Sequence, residues 1–415
     1  MNVVHGSKPL RLALLLAGAG CGNGSVGPLP AEPEVNEDMV SAASSAHRSM
    51  QAQFGDPLPG LSQADQARFT AGQGEFEDDE TPADGLGPVF NDTSCARCHA
   101  DPAVGGSNAT VETRFGTTTD GHFDPMTQFG GSLIQVRGIG PAGSCDFMGE
   151  TVPPTATFVS GRRTTPLFGL GLVDAVPENT FAYVAGIERV LFPDEAGRVA
   201  MVHDIAHDRT AVGRFGWKDQ VPTLHQFAGD AYLNEMGITN PEFPDENCPG
   251  GDCSLLACNP LPTLNDDGSG VTAFADFMTL LAPPPRKGMS AQAFAGKLVF
   301  ASIGCTHCHW ATFRTGPSAV DSISFATFHP YSDFLLHQMG SLGDGIEIGD
   351  AKGGEFRTAP LWGISGVSRY LHDGRATTIQ DAVLAHDGQA RRARDRFAGL
   401  SARDQAALVA FVSSL

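Results

Sequence analysis

Two five-residue strings carry most of the chemistry legible in this chain: Cys95-Ala-Arg-Cys98-His99 and Cys305-Thr-His-Cys308-His309. In a C-x-x-C-H string two thiols lie close along the chain and an imidazole follows directly. That order suits a porphyrin whose two vinyl groups add the thiols and whose iron then takes the histidine as proximal ligand. A zinc site built from both cysteine pairs leaves the two adjacent histidines without a role. A redox C-x-x-C needs no histidine there either. The strings therefore predict two covalently bound c-type haems, one on Cys95, Cys98 and His99 and one on Cys305, Cys308 and His309. Cys145, Cys248, Cys253 and Cys258 are an even remainder besides Cys21. They read as two disulfides with three connectivities open.

The elements that must position these strings repeat as well. Before each lies a helix-like stretch ending in Gly-x-x-x-Phe, Gly72 to Phe76 and Gly296 to Phe300. After each comes a distinctive string, Arg163-Thr-Thr-Pro-Leu-Phe-Gly-Leu170 in one half and Arg357-Thr-Ala-Pro-Leu-Trp-Gly-Ile364 in the other. Trp217-Lys-Asp219 ahead of Thr223-Leu224 then matches His372-Asp-Gly374 ahead of Thr378-Ile379. Each half closes on an amphipathic helix. In the last, Ala407, Leu408, Phe411, Val412 and Leu415 share one face, and Ser401 with Asp404 forms a capping pair. The expected fold is mainly α: two cytochrome c-like haem domains from an internal duplication, with long loops and insertions in the first, around 101–160 and 237–270. Three prolines in Leu281–Arg286 set the boundary, giving domains 61–285 and 286–415.

These strings together resemble the bacterial di-haem cytochrome c peroxidase superfamily, and within it the di-haem oxidoreductase (putative peroxidase) family, formerly described as thiol oxidoreductases. The resemblance runs from about residue 61 to the C-terminus. Besides the strings above it rests on Phe90-Asn91-x-x-Ser94-Cys95, Gly213-Arg-Phe-Gly-Trp217, Asn234-Glu-Met-Gly-Ile-Thr-Asn-Pro241 and Tyr370-Leu-His-Asp-Gly-Arg375. It implies one catalytic, peroxide-binding haem, one relay haem and a tryptophan between them. Trp217 holds the tryptophan position, although Lys218-Asp219 replaces the usual Asp-Gly. Glu235 is the candidate acid over the catalytic haem. The relay haem takes its distal ligand from the helix after the His-Asp-Gly string, where this chain has His386 rather than Met or Tyr; Met339 is the rival ligand.

Counting from Thr223 as from Thr378 sets Ala231 opposite His386, so the first haem is expected to be open or water-filled there, with His122 as a resting-state candidate. Tyr232, beside Ala231, points into that pocket or packs in the core. Arg163 and Arg357 are candidates either for haem propionates or for backbone carbonyls. Asp266, Asp267 and Asp350, in Gly-rich turns, are candidates for Ca²⁺, although no twelve-residue calcium loop is present.

Lys+Arg 27 against Asp+Glu 47 gives a formal charge of −20, which disfavours nucleic acid as a partner. Lys8 and Arg11, the apolar run Leu12–Leu16 and small residues before Cys21 predict a signal peptide over 1–20. Cys21 would carry a lipid on the periplasmic side of the envelope, in the outer membrane, with 21–60 as a flexible tether. Membrane contact would be through that anchor alone. The expected activity is that of a peroxidase-type oxidoreductase using peroxide or O₂ and a small redox donor or cytochrome. The alternatives are an electron-transfer cytochrome without a substrate, or a di-haem oxygenase.

Overall fold

The computed structural model describes residues 51–142, 145–259, 261 and 264–415. These belong to one compact unit, Arg48–Leu415. The expected signal peptide, Cys21 and most of the expected tether lie outside the described residues. Helices in chain order are α1 (Gln63–Glu77), α2 (Leu170–Asp174), α3 (Glu178–Leu191), α4 (Leu224–Met236), α5 (Ser269–Leu280), α6 (Ala291–Ser302), α7 (Ile379–Ala385), α8 (Arg391–Ala398) and α9 (Ala402–Val412). Among the described residues none is long and apolar enough to cross a membrane.

Two helix crossings organise the core. The Ser62 hydroxyl caps α1 by accepting from Asp65 N–H at 3.1 Å, and the Ser290 hydroxyl caps α6 by accepting from Ala293 N–H at the same distance. α1 crosses α5 and α6 crosses α9. At each crossing a glycine lets two backbones meet. A Cβ at Gly72 would lie 2.3 Å from the Ala273 carbonyl oxygen, and one at Gly296 would lie 1.8 Å from that of Ala407. One turn on, Phe76 and Phe300 are buried over the crossing. The predicted cap of α9 is present, with Ser401 Oγ accepting from Asp404 N–H at 3.2 Å.

The fold is less purely helical than expected. Part of the 101–160 insertion forms a three-stranded antiparallel sheet in the order His122–Asp124, Val111–Thr119, Phe158–Arg163. Its central strand is rich in β-branched residues, which suit a pleated surface. Further pairs are Ala200–Asp204 with Arg209–Gly213 and Leu336–Gln338 with Glu355–Arg357. Arg163 and Arg357 each end a strand, so each Arg-Thr-x-Pro-Leu string starts from a fixed backbone.

Two expected boundaries shift. Residues 51–60 are not free tether: Leu58 N–H donates to the Leu280 carbonyl at 2.8 Å, and Phe54 meets Phe168 edge-on at 5.2 Å. Packing also crosses residue 286. Phe313 and Phe334 lie against Phe181 of α3, with ring centroids 5.8 and 6.3 Å away. Their burial there brings part of the C-terminal half into the larger core, a long-range contact that local pattern does not show.

Candidate functional site

Cys305, Cys308 and His309 line a mostly apolar cavity together with Phe300, Leu408 and His386. His309 Nδ1 donates to the Tyr331 carbonyl at 2.8 Å, which leaves Nε2 with its lone pair. Burial lowers its pKa to about 4, so the ring stays neutral and ready to bind a metal. His386 closes the same cavity. Helix α7 stops at Ala385, His386 leaves it with extended backbone, and its Nδ1 donates back to the Ala382 carbonyl at 2.7 Å. Its Nε2 is therefore also free, and burial keeps the ring neutral. Met339 lines this cavity too.

The first string is built alike. His99 Nδ1 donates to the Gly106 carbonyl at 3.1 Å, and burial lowers this ring to about 4 as well. Phe76 stands over His99 with centroids 6.0 Å apart, as Phe300 stands over His309 at 6.1 Å. Burial raises the Cys95 thiol to about 12 and the Cys98 thiol to about 11.

The flanking helices differ. Thr223 caps α4 by accepting from Gln226 N–H at 3.1 Å, and Thr378 caps α7 by accepting from Asp381 N–H at 3.0 Å. These caps put Ala231 and His386 in one register, but α4 runs on and carries Glu235. Glu235 is partly buried near Cys98, and Asn91 Nδ2 donates to its Oε2 at 2.6 Å. Burial, reinforced by nearby Glu112, raises its carboxyl to about 7 against the pull of Asn91 and Arg114. His122, in contrast, is exposed on an edge strand.

Trp217 sits at the seam between the two repeated strings. Its Nε1 donates to the Arg163 carbonyl at 2.9 Å, and its ring meets His372 edge-on at 6.4 Å. The halves exchange backbone bonds here. Arg163 N–H donates to the His372 carbonyl at 2.7 Å, and Arg357 N–H donates to that of Trp217 at 2.9 Å. Arg163, Trp217 and Arg357 all line the cavity that holds Cys305, Cys308 and His309.

A family model for "di-haem oxidoreductase, putative peroxidase" matches residues 155–415. The chain belongs to this di-haem oxidoreductase family. The match begins after the first C-x-x-C-H string. No curated protein matches the chain. Solved structures similar to it include Kuenenia stuttgartiensis hydrazine synthase, at 14% identity over 99% of this chain and 100% of that one, with a TM-score of 0.41. A MauG-like protein associated with microbial copper homeostasis is 13% identical over 88% and 93%, with a TM-score of 0.40. The diheme peroxidase BthA from Burkholderia thailandensis is 16% identical over 84% and 86%, with a TM-score of 0.41.

The residues of this di-haem oxidoreductase fit the two haems that its family implies. Each string offers a neutral imidazole, held at Nδ1 by a backbone carbonyl, beside two thiols that form no disulfide. The Cys₄ zinc alternative has no geometry to support it: among the described residues the cysteine pairs join no common ligand group. The group that does come within ligand reach is Cys308, Asp333 and His337. His337 Nε2 bonds Asp333 Oδ2 at 3.0 Å, and its Nδ1 lies 3.7 Å from Cys308 Sγ. Buried Glu188 lies beside this group and its acid is raised to about 8, by burial first and then by Asp333. Sequence reading missed this polar wall of the second site. Asp333 and His337 are four residues apart, but Cys308 and Glu188 come from other segments, so no single spacing marks the group.

Other expectations change. The alternative of a backbone contact applies to Arg357, whose Nε donates to the Gly216 carbonyl at 2.8 Å and lies 3.4 Å from Asp219. Arg163 reaches Ser107 Oγ at 3.2 Å. The Lys218 departure has its own partners: Nζ is buried, 2.8 Å from the Glu355 carbonyl and 3.0 Å from Asp344. The Ca²⁺ candidates do not converge. Asp266 caps α5 through Gly270 N–H at 2.9 Å, Asp267 accepts from Ser269 N–H at 3.0 Å, and Asp350 pairs with Arg198 at 2.7 Å. Cys248 bonds Cys253, and Cys258 is also in a disulfide.

Proposed function

We propose that this chain is an exported, c-type di-haem oxidoreductase of peroxidase type. Its N-terminal site meets the peroxide and its C-terminal site relays electrons. One observation carries the assignment. At matched positions after matched threonine caps, the second half presents the imidazole of His386 and the first presents the methyl group of Ala231, with Glu235 one turn on. Haem, when bound, supplies one-electron redox chemistry and, where a coordination position is open, O–O bond cleavage.

The protein's own residues supply the rest. Cys95 and Cys98, and Cys305 and Cys308, are the thioether donors. His99 and His309 would offer Nε2 as proximal ligands, and His386, lining the same cavity as His309, would offer Nε2 as the second ligand there. Glu235, with its carboxyl near 7, takes a proton from one peroxide oxygen and returns it to the departing one. Trp217, bonded to the first half's string and edge-on to His372, is the bridge between the sites. The matched caps, glycine crossings and Phe–His pairs support an internal duplication with two cytochrome c-like halves. Residues 1–20 would act as the export signal and Cys21 as the lipid anchor on the periplasmic face. The donor would be a small redox protein or cytochrome.

Half-reduced holoprotein mixed with hydrogen peroxide in a stopped-flow spectrometer tests the reading. A high-spin signal beside a low-spin one, with the high-spin component consumed by peroxide, is the expected result. Two low-spin signals and no reaction with peroxide would make the protein an electron-transfer cytochrome instead.

A further inference from the structure

We infer that Tyr232 is a one-electron oxidation site linked through Phe274 and Phe76 to His99 of the N-terminal haem motif, with Glu80 as its proton acceptor. This inference rests on the peroxidase reading above and gives the oxidised site a second outlet, separate from Trp217.

Tyr232 lies on α4 with its side chain buried, and its hydroxyl donates to Glu80 Oε1 at 2.7 Å. Its ring meets Phe274 of α5 at right angles, 4.9 Å between centroids. Phe274 is 6.2 Å from Phe76 of α1, and Phe76 is 6.0 Å from His99. Four rings in sequence thus connect the proximal imidazole to a phenol. The two phenylalanines are too hard to oxidise to hold a charge themselves, but they fill the gap with polarisable π-systems. Tyr232 is the first member of the series that can give up an electron and keep the resulting radical.

Loss of an electron makes a phenol strongly acidic, so its proton must leave in the same event. Glu80 stands where that proton would go, and it is only partly buried, so its charge can equilibrate with water. Burial and the neighbouring Glu80 carboxylate both raise the Tyr232 phenol, so in the resting protein the proton stays on the oxygen. Glu75 and Asp266 add negative charge around the pair, which favours electron loss from it.

The second half makes the contrast. Tyr331 is also buried beside the Phe over the proximal histidine, 6.2 Å from Phe300, but the Arg286 guanidinium lies 5.6 Å above its ring. A cation there opposes removal of an electron. The oxidisable pair therefore belongs to the half that is expected to meet peroxide.

The step balances as follows. Tyr232 loses its O–H proton to Glu80, which becomes a neutral acid, and one electron passes toward His99. The oxidant is the N-terminal haem after reaction with peroxide. Over the whole cycle hydrogen peroxide takes up two electrons and two protons and leaves as two waters. The radical on Tyr232 is then reduced by a small one-electron donor, and Glu80 returns the proton.

Freeze-quench EPR on the holoprotein after hydrogen peroxide is the test, with ring-deuterated tyrosine to mark the signal. The expected result is a tyrosyl signal that narrows on deuteration, is lost in Tyr232→Phe, survives in Tyr331→Phe and forms more slowly in Glu80→Gln. Unchanged resting haem bands in these variants would show that they fold and load haem. If peroxide alters the haem bands but the tyrosyl signal is absent, or persists in Tyr232→Phe, the inference is wrong and the peroxidase reading stands. If peroxide leaves the haem bands untouched, the peroxidase reading itself fails and the role of Tyr232 falls with it.

Discussion

The two C-x-x-C-H regions share a scaffold and differ at the end of one helix. In both, a serine caps the first helix, a glycine brings two helix backbones together, and a phenylalanine stands over the histidine. In both, a backbone carbonyl holds histidine Nδ1, and a threonine caps the helix that follows the Trp217 or His372 string. The difference is where that helix stops. α7 ends at Ala385 and turns His386 into the cavity, whereas α4 continues to Met236 and carries Glu235 beside Cys98. One scaffold thus presents an imidazole at the helix end in one half and a methyl group at the matched position in the other. The helix end is one difference; the second site also has the Cys308, Asp333 and His337 group behind it.

The largest expected effect would break the equivalence of the two strings at its root. Replacing Cys95 and Cys98 by serine should remove one covalent haem, and replacing Cys305 and Cys308 should remove the other. Pyridine haemochrome counts falling from two per chain to one in each variant would confirm it. A colourless wild-type protein would end the reading for both halves.

Glu235→Gln sharpens the difference between the halves. It should lower peroxide turnover by about 10²–10⁴-fold, the usual contribution of a general acid–base group. Because the ionised carboxylate starts the proton transfer, wild-type kcat/KM should rise with pH through about 7, and this limb should vanish in the variant. Stability carries the opposite sign. The folded chain keeps a proton on Glu235 that the unfolded chain releases in the ordinary carboxyl range. Glu235 should therefore cost stability increasingly as pH rises from that range through about 7, and urea midpoints of Glu235→Gln should lack this loss.

The helix crossings come next. Gly72→Ala and Gly296→Ala each force a methyl group against a carbonyl, and overpacking of this kind costs about 1–3 kcal/mol. Gly296 should be the worse, since its added carbon would lie 1.8 Å from the Ala407 oxygen, against 2.3 Å from Ala273 at Gly72. Equal shifts in denaturant midpoint would show that the second crossing relaxes more easily than its backbone suggests.

The smallest effect tests the register itself. Thr223→Ala and Thr378→Ala should each cost about 1 kcal/mol, as lost helix caps do. Only Thr378→Ala should also loosen the ligand side, seen as a partial loss of the low-spin signal. A matching spectral change from Thr223→Ala would undo the proposed asymmetry.

The amino-acid sequence alone determined what is local. The cysteine and histidine spacing, the paired Gly-x-x-x-Phe stretches and the Ser401 cap could be read because each depends on residues a few positions apart, where chain geometry is set by covalent connection. The caps at Thr378 and Thr223, from which His386 and Ala231 are counted, were legible for the same reason. The sheet over Val111–Thr119 was also written locally, in its β-branched residues, but the expectation of a mainly helical chain passed over it. Only the tertiary structure decided which groups meet across long separations. Trp217 against Arg163 and His372, His337 and Glu188 behind Cys308, Phe313 against Phe181 and Tyr232 on Glu80 each join segments that no spacing rule links. Burial decides these contacts, because apolar surface and buried charge must find partners wherever the folded chain brings them, and that choice belongs to the whole core.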